Sequence, residues 1–245
     1  MPMRGVLTYH SIDRSGSAIS VTPEEFRQQI EWLASGEISV VTLPELIALP
    51  DNANAVAITF DDALESVATE AAPVLAAHGL PATVFVVSGH VGRDNRWSGR
   101  ADPGIPVKRV LDWAALARLQ DQGFSIGAHS RSHRNLAECS AAEAADEIFG
   151  SGEDITTALG ERPEAFAYPY GAFSPAVAQV VGDAFEIGCT TEFQLLHQGT
   201  ARALIPRLDA WYFRDPARLE RWGSRSFARW VAVRHALRRL RRMLP

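Results

Sequence analysis

The sequence predicts an α/β fold built on a parallel sheet. Short apolar, β-branched runs alternate along the chain with helical patterns, which implies right-handed crossovers between parallel strands. Helix starts are marked by capping boxes at Thr22/Glu25 and Ser140/Glu143. Two apolar runs stop abruptly on ionisable residues: 55–60 meets Asp61 and Asp62, and 124–128 meets His129. In a parallel α/β sheet, the carboxyl ends of the strands are where ligands bind. With 245 residues, 47% of them hydrophobic, the chain can bury a sizeable core in one large domain, and disorder is not expected.

The elements follow in order. Residues 5–10 read as a first strand ending on His10, and 11–21 as a polar loop. Thr22 caps a helix with Pro23 at its first position and Phe26, Ile30 and Leu33 on its buried stripe. A short strand over 38–43 and a short helix from Pro44 precede a turn over 51–54 and the strand 55–60. A helix then runs to about Ala77, with Gly79 suited to a left-handed cap. Residues 82–87 are β-branched and read as a strand. The stretch 88–106, rich in Gly, Arg and Asp and holding Trp97, is long for a loop and reads as a substrate-facing flap or a surface insertion. Helices over 112–122, 140–159 and from Pro175 alternate with strands over 124–128, 165–170 and 186–191. A last strand, interrupted by Pro206, covers 203–209.

The chemistry sits at the strand ends. Adjacent Asp61 and Asp62 diverge on an extended backbone and can take different jobs, one on a metal and the other on a proton. The plainer alternative is that one of them caps the next helix. His129 and His133 are four apart, which places them on one side of a helical turn, where they can share a cation. Two imidazoles and one carboxylate leave coordination positions open, as in catalytic zinc sites and in non-haem iron triads.

Thr59-Phe60-Asp61-Asp62, His129-Ser130-x-x-His133 and Tyr168-Pro169-Tyr170-Gly171 resemble, in order, three motifs of the polysaccharide deacetylases, the NodB-homology group of carbohydrate esterase family 4. The likeness covers about Val6 to Asp209. It implies a distorted, incomplete (β/α) barrel. It assigns Asp62, His129 and His133 to a divalent metal, most simply zinc with cobalt, nickel, manganese or iron as alternatives, and Asp61 to the catalytic base. Tyr170 is assigned to the substrate through its backbone N–H at the oxyanion, a Tyr-Pro-Tyr-Gly packing turn being the alternative.

The chain departs from the family pattern at three places. Ala63 stands where Gly is usual, which predicts a slightly different turn. Ala167 stands where an Arg orients the base; Arg207 is the candidate to supply that charge and is grouped with Tyr170 on the substrate side. The late Leu-x-His motif that supplies the acid is matched poorly by Leu195-Leu196-His197, so His10 is preferred as the catalytic acid, a choice supported by resemblance to the poly-N-acetylglucosamine deacetylase branch. His78, His90 and His235 read as surface residues. The expected reaction is metal-dependent removal of acetyl groups from N-acetylated sugars, polymeric or lipid-linked. The rivals are a metal-independent amidase or imidase on the same fold and a catalytically silent carbohydrate-binding relative.

Cys139 and Cys189 are too few for a disulfide framework, and no run approaches the length of a membrane span. The amino terminus lacks a signal-peptide pattern, so a cytoplasmic enzyme is expected. Net charge is −5, unevenly spread: eight of the 24 Lys and Arg lie after Glu220, and none of the 29 Asp and Glu does. The expected division is therefore a catalytic domain over 1–220 and a basic amphipathic segment over 221–245. That segment, with Trp222, Phe227, Trp230, Val231, Val233, Leu237, Leu240 and Leu244 among arginines, suits either peripheral contact with an anionic membrane at its inner face or docking on the acidic body. Nucleic acid is not expected as a partner, because the body would repel phosphate.

Overall fold

The computed structural model describes residues 1–243, so Leu244 and Pro245 of the basic segment lie outside the described residues. In chain order the elements are β1 (Arg4–Tyr9), β2 (Ser11–Ile12), β3 (Ser20–Val21), α1 (Pro23–Leu33), β4 (Ser39–Val40), α2 (Leu43–Ala48), β5 (Ala55–Phe60), α3 (Ala72–Ala77), β6 (Thr83–Val86), α4 (Trp113–Asp121), β7 (Ser125–Ala128), α5 (Ala141–Leu159), β8 (Ala165–Ala167), α6 (Pro175–Ala184), β9 (Ile187–Cys189), β10 (Leu208–Asp209), α7 (Pro216–Leu219) and α8 (Arg225–Met243). Capping boxes start α1 at Thr22, α2 at Thr42 and α5 at Ser140, while Gly160 closes α5 in the left-handed conformation.

The main sheet has the order β10-β1-β5-β6-β7-β8-β9, with β4 beside the start of β5, and its ladders are parallel. Cys189 of β9 makes one parallel bridge to Ile205, just ahead of β10. The sheet thus curls almost back on itself and is joined there by a bridge rather than a full ladder, giving the distorted, incomplete (β/α) barrel. The expected strand over 203–209 is shorter than predicted: a 3-10 turn takes Arg202–Leu204, and only Leu208–Asp209 pairs with β1. Pro206 between them has no N–H to give to a ladder.

The period-2 alternation of the strands separates two cores. Val6, Ala55, Ala57, Phe85, Ala165, Ala167, Ile187 and Cys189 form an inner cluster. Their sequence neighbours Leu7, Val56, Ile58, Phe60, Val84, Val86 and Phe166 belong to the larger cluster under the helices. The inner residues are mostly small because the barrel is narrow. At Gly127 of β7, an added Cβ would lie 2.5 Å from the Phe85 ring, so no larger residue fits. Carried past the strand ends, the inward parity of β1, β5 and β7 falls on His10, Asp61 and His129. The sequence thus delivers these side chains to the mouth of the barrel by alternation alone.

The division at 220 marks a change of charge, not of packing. Phe227 and Val231 of α8 are buried in the larger core, and Trp222 packs on Phe227. Among the described residues, no helix is long and apolar enough to cross a membrane.

Candidate active site

Asp61 and Asp62 follow β5 directly and meet different partners. Asp61 remains on the inward parity and is 2% exposed; Asp62 breaks the extended backbone with φ 70 and is 5% exposed. His129 follows β7, its backbone N–H donating to Val86 O at 2.9 Å. His129 and His133 do not share a helical turn, as their spacing suggested. The connecting loop carries positive φ at Ser130 and His133, and the Ser130 hydroxyl accepts the His133 N–H at 2.9 Å. The loop folds the second ring back over the first, with centroids 4.9 Å apart.

Asp62, His129 and His133 converge, with one candidate ligand atom from each lying within 4.8 Å of the others. Asp62 Oδ1 is 3.6 Å from His129 Nε2 and 3.4 Å from His133 Nε2. His129 Nδ1 lies 2.7 Å from Ala167 O, so it donates there and leaves the Nε2 lone pair free for a ligand. Asp62 Oδ1 is buried and without a hydrogen-bond partner among the described residues. Burial raises the Asp62 carboxyl above its ordinary range, with the charges of His10 and His129 opposing. Burial, and then His129, hold the His133 imidazole well below its ordinary value. A cation would relieve both: its charge favours the carboxylate, and it takes neutral imidazole nitrogens. A buried, orphaned carboxylate oxygen facing two imidazoles fits a divalent metal.

Asp61 has a different environment. Arg207 donates to Asp61 Oδ1 at 2.6 Å and to Oδ2 at 2.8 Å. Burial alone would raise the Asp61 carboxyl, but the Arg207 charge, then His129 and His10, outweigh it and hold the group well below the usual carboxylate range. Arg207 is only 2% exposed, and its Nε donates to Thr190 O at 2.9 Å. The guanidinium is thus placed behind Asp61, with the base, rather than on the exposed side with Tyr170, with which it was grouped.

His10 stands at the same mouth, its Nε2 3.8 Å from Asp61 Oδ2 and its side chain 26% exposed. His197 is exposed elsewhere. Its neighbour Leu196 bridges Arg4, at the opposite end of β1, roughly 20 Å away by strand rise. The flap 88–106 reaches the site: Trp97 stacks on the His133 ring at 4.8 Å, and the Tyr170 hydroxyl donates to Asp102 Oδ2 at 3.3 Å. Tyr170 is half exposed, its ring edge-on to that of His133 with centroids 4.6 Å apart. Among the described residues, the non-glycine positions with positive φ are Asp62, Ala63, Ser130, His133 and Tyr170, all in these three turns. Such strain persists where the surrounding structure over-determines a site.

A family model for polysaccharide deacetylases matches residues 48–184. The chain belongs to the polysaccharide deacetylase family. It is 26% identical over 197 residues to the poly-beta-1,6-N-acetyl-D-glucosamine N-deacetylase of Staphylococcus aureus, a match spanning 77% of this chain and 67% of that protein. In fold it is similar to the deacetylase PplD of Streptococcus pyogenes, solved in complex with acetate, with TM-score 0.72 and 20% identity over 85% of this chain and 93% of that one. It is likewise similar to IcaB from Ammonifex degensii, with TM-score 0.71 and 23% identity over 86% and 95% of the two chains.

The deacetylase departs from its family's pattern with visible compensation. Ala63, where Gly is usual, takes φ 49, a conformation that costs an L-residue roughly 1 kcal/mol. Ala167 leaves no room for an Arg from β8, being packed in the inner cluster, and Arg207 brings the charge from beside β10. Two residues near the site escaped sequence reasoning. Asp102 lies on the aperiodic flap 88–106 that Trp97 had marked. Asp209 was read only as a strand end, yet it is held above its ordinary range by burial, with the His10 charge opposing. His90 and His235 are also less free than expected: His90 lies edge-on to Trp97 at 5.0 Å, and His235 Nδ1 is 3.4 Å from Glu192 Oε2.

Proposed function

We propose that this deacetylase hydrolyses the N-acetyl groups of a poly-N-acetylglucosamine chain at the barrel mouth, using a divalent metal held by Asp62, His129 and His133. The observation that carries the reading is the pairing of two unlike carboxylates: Asp62, orphaned between two imidazoles, and Asp61, clamped by Arg207. The S. aureus relative, named for poly-beta-1,6-N-acetyl-D-glucosamine, supports the substrate class. Zinc suits two nitrogen donors and one oxygen with open positions, and cobalt, nickel, manganese or iron suit them too.

When bound, the metal would polarise the acetyl carbonyl and acidify a water. Asp61 is placed to accept a proton from the attacking water. Its depressed pKa keeps it a carboxylate at neutral pH, and the Arg207 clamp holds both oxygens in place. His10, 3.8 Å from Asp61 and partly open to the mouth, delivers a proton to the leaving nitrogen. The Tyr170 backbone N–H is assigned to the developing oxyanion. Trp97 covers one face of His133 and limits water there. The orphaned Asp62 oxygen disfavours a metal-independent amidase, and the charge supplied by Arg207 disfavours a silent relative.

The test is amine release from N-acetylglucosamine oligomers by chelator-stripped protein, before and after zinc is restored. Asp61→Asn should keep its metal and lose most turnover, whereas Asp62→Asn should lose both. Equal turnover in stripped and loaded protein defeats the metal reading; loss of metal from Asp61→Asn alone exchanges the two roles.

A further inference from the structure

One face of α8 has no part in the proposed reaction and, among the described residues, no packing partner. The inner face is committed. Phe227 and Val231 are buried, Trp230 packs edge-on against Phe193 and Phe213, and Arg234 and Arg238 stand against the Tyr212 ring. The aromatic residues that the sequence offered for lipid contact are therefore already used. Beside them, about 100° round the helix from the centre of the packed face, Val233, Leu237 and Leu240 are 60%, 51% and 57% exposed. Their spacing, four and then three residues, aligns them in one stripe along the helix. Exposed Arg225, Arg229, Arg239 and Arg241 border the stripe, and α8 contains no Asp or Glu.

We propose that this face of α8 rests on an anionic lipid surface, with Val233, Leu237 and Leu240 just below the headgroups and the bordering arginines on the phosphates. Small apolar stripes flanked by arginine are the pattern of helices that lie in such an interface. Other occupants fit less well. Pairing α8 with α8 of a second copy would press two acid-free, arginine-rich helices together. Docking α8 on the body of a second copy needs a matching apolar patch. The other exposed large apolar side chains among the described residues are Met1, Val107, Phe149 and Tyr170, which sit in separate parts of the chain.

The placement bears on the reaction, a step that rests on the proposed function whereas lipid binding does not. Arg238 Nη2 donates to Thr191 O at 3.3 Å, next to Thr190, whose carbonyl accepts from Arg207. A bilayer under α8 thus lies about one helix diameter, ~10 Å, from the segment that supports the Asp61 clamp. The polymer would then be met at a membrane surface rather than in bulk solution.

The test is co-sedimentation of the full chain with phosphatidylcholine vesicles, with and without phosphatidylglycerol. Binding is expected only to the anionic vesicles and should fall steeply with salt. An arginine near such a surface contributes a factor of about five, so Arg229→Gln/Arg239→Gln/Arg241→Gln should weaken binding on the order of a hundredfold. Val233→Ser/Leu237→Ser/Leu240→Ser should weaken it at least about tenfold. Both variants should keep the parent melting temperature and the parent rate on soluble oligomers. Full-length protein left in the supernatant at low salt, or binding unchanged in either variant, overturns the proposal. So does self-association in vesicle-free solution that the apolar variant abolishes, which would make a second copy the occupant.

Discussion

Replacing Arg207 with Met tests whether the Asp61 clamp is both structural and catalytic. Arg207 and Asp61 are 2% exposed each, and two hydrogen bonds of 2.6 and 2.8 Å join them. Met keeps the apolar stem and removes the charge. Deleting one partner of a buried ion pair costs about 3–5 kcal/mol, because the other charge is left uncompensated. At ~2–4 °C per kcal/mol for a chain of this size, the melting temperature should fall on the order of 10 °C at neutral pH. The pH dependence has a definite sign. In the parent, Asp61 has a folded pKa below its unfolded value, so its contribution is present above about pH 4 and is lost as pH falls through the folded pKa. In the variant, burial is unopposed by Arg207 and the folded pKa moves above the unfolded one. The stability deficit should therefore be largest at neutral pH and shrink as pH falls through the raised value, where protonation neutralises the orphan. The acid limb of kcat/KM should move up with it. Thermal unfolding of chelator-treated protein from acid to neutral pH, with a pH–rate profile of the metal-loaded enzyme, reads both effects. Adding Asp61→Asn to Arg207→Met should recover much of the lost stability. An unchanged acid limb, or a double variant no more stable than the single one, refutes the charge-compensation reasoning.

His10→Ala should lower turnover by about 100-fold or more, the usual contribution of a general acid, while His197→Ala at the far end of β1 should leave it unchanged; the reverse pattern would return the acid role to His197. Gly171→Ala should destabilise the protein by more than about 1 kcal/mol, because Gly171 has φ 66 and an added Cβ would lie 2.0 Å from Thr191 Oγ1. Thermal melting measures it, and an unshifted transition would mean that the turn over Pro169–Gly171 can rearrange.

The sequence alone determined the alternation of strands and helices, the capping boxes, and the inward parity that brings His10, Asp61 and His129 to the barrel mouth. These are local properties: periodicity of two or 3.6, and side chains that satisfy backbone donors within a few residues. The motif residues stood out because they follow strand ends, but their separate roles came from the resemblance to the deacetylase motifs. What needed the tertiary structure is everything that joins distant segments. His133 reaches Asp62 only through a left-handed loop that its spacing did not reveal. Arg207 meets Asp61 across the barrel, 146 residues away in sequence, and no local pattern reports that contact. Trp97 and Asp102 reach the site from an aperiodic flap. The charge of α8 was plain in the sequence, but which of its apolar residues face the core was not. A basic amphipathic helix buries the same residue types against its own domain as against lipid, and only the neighbouring Phe193 and Phe213 decide between them.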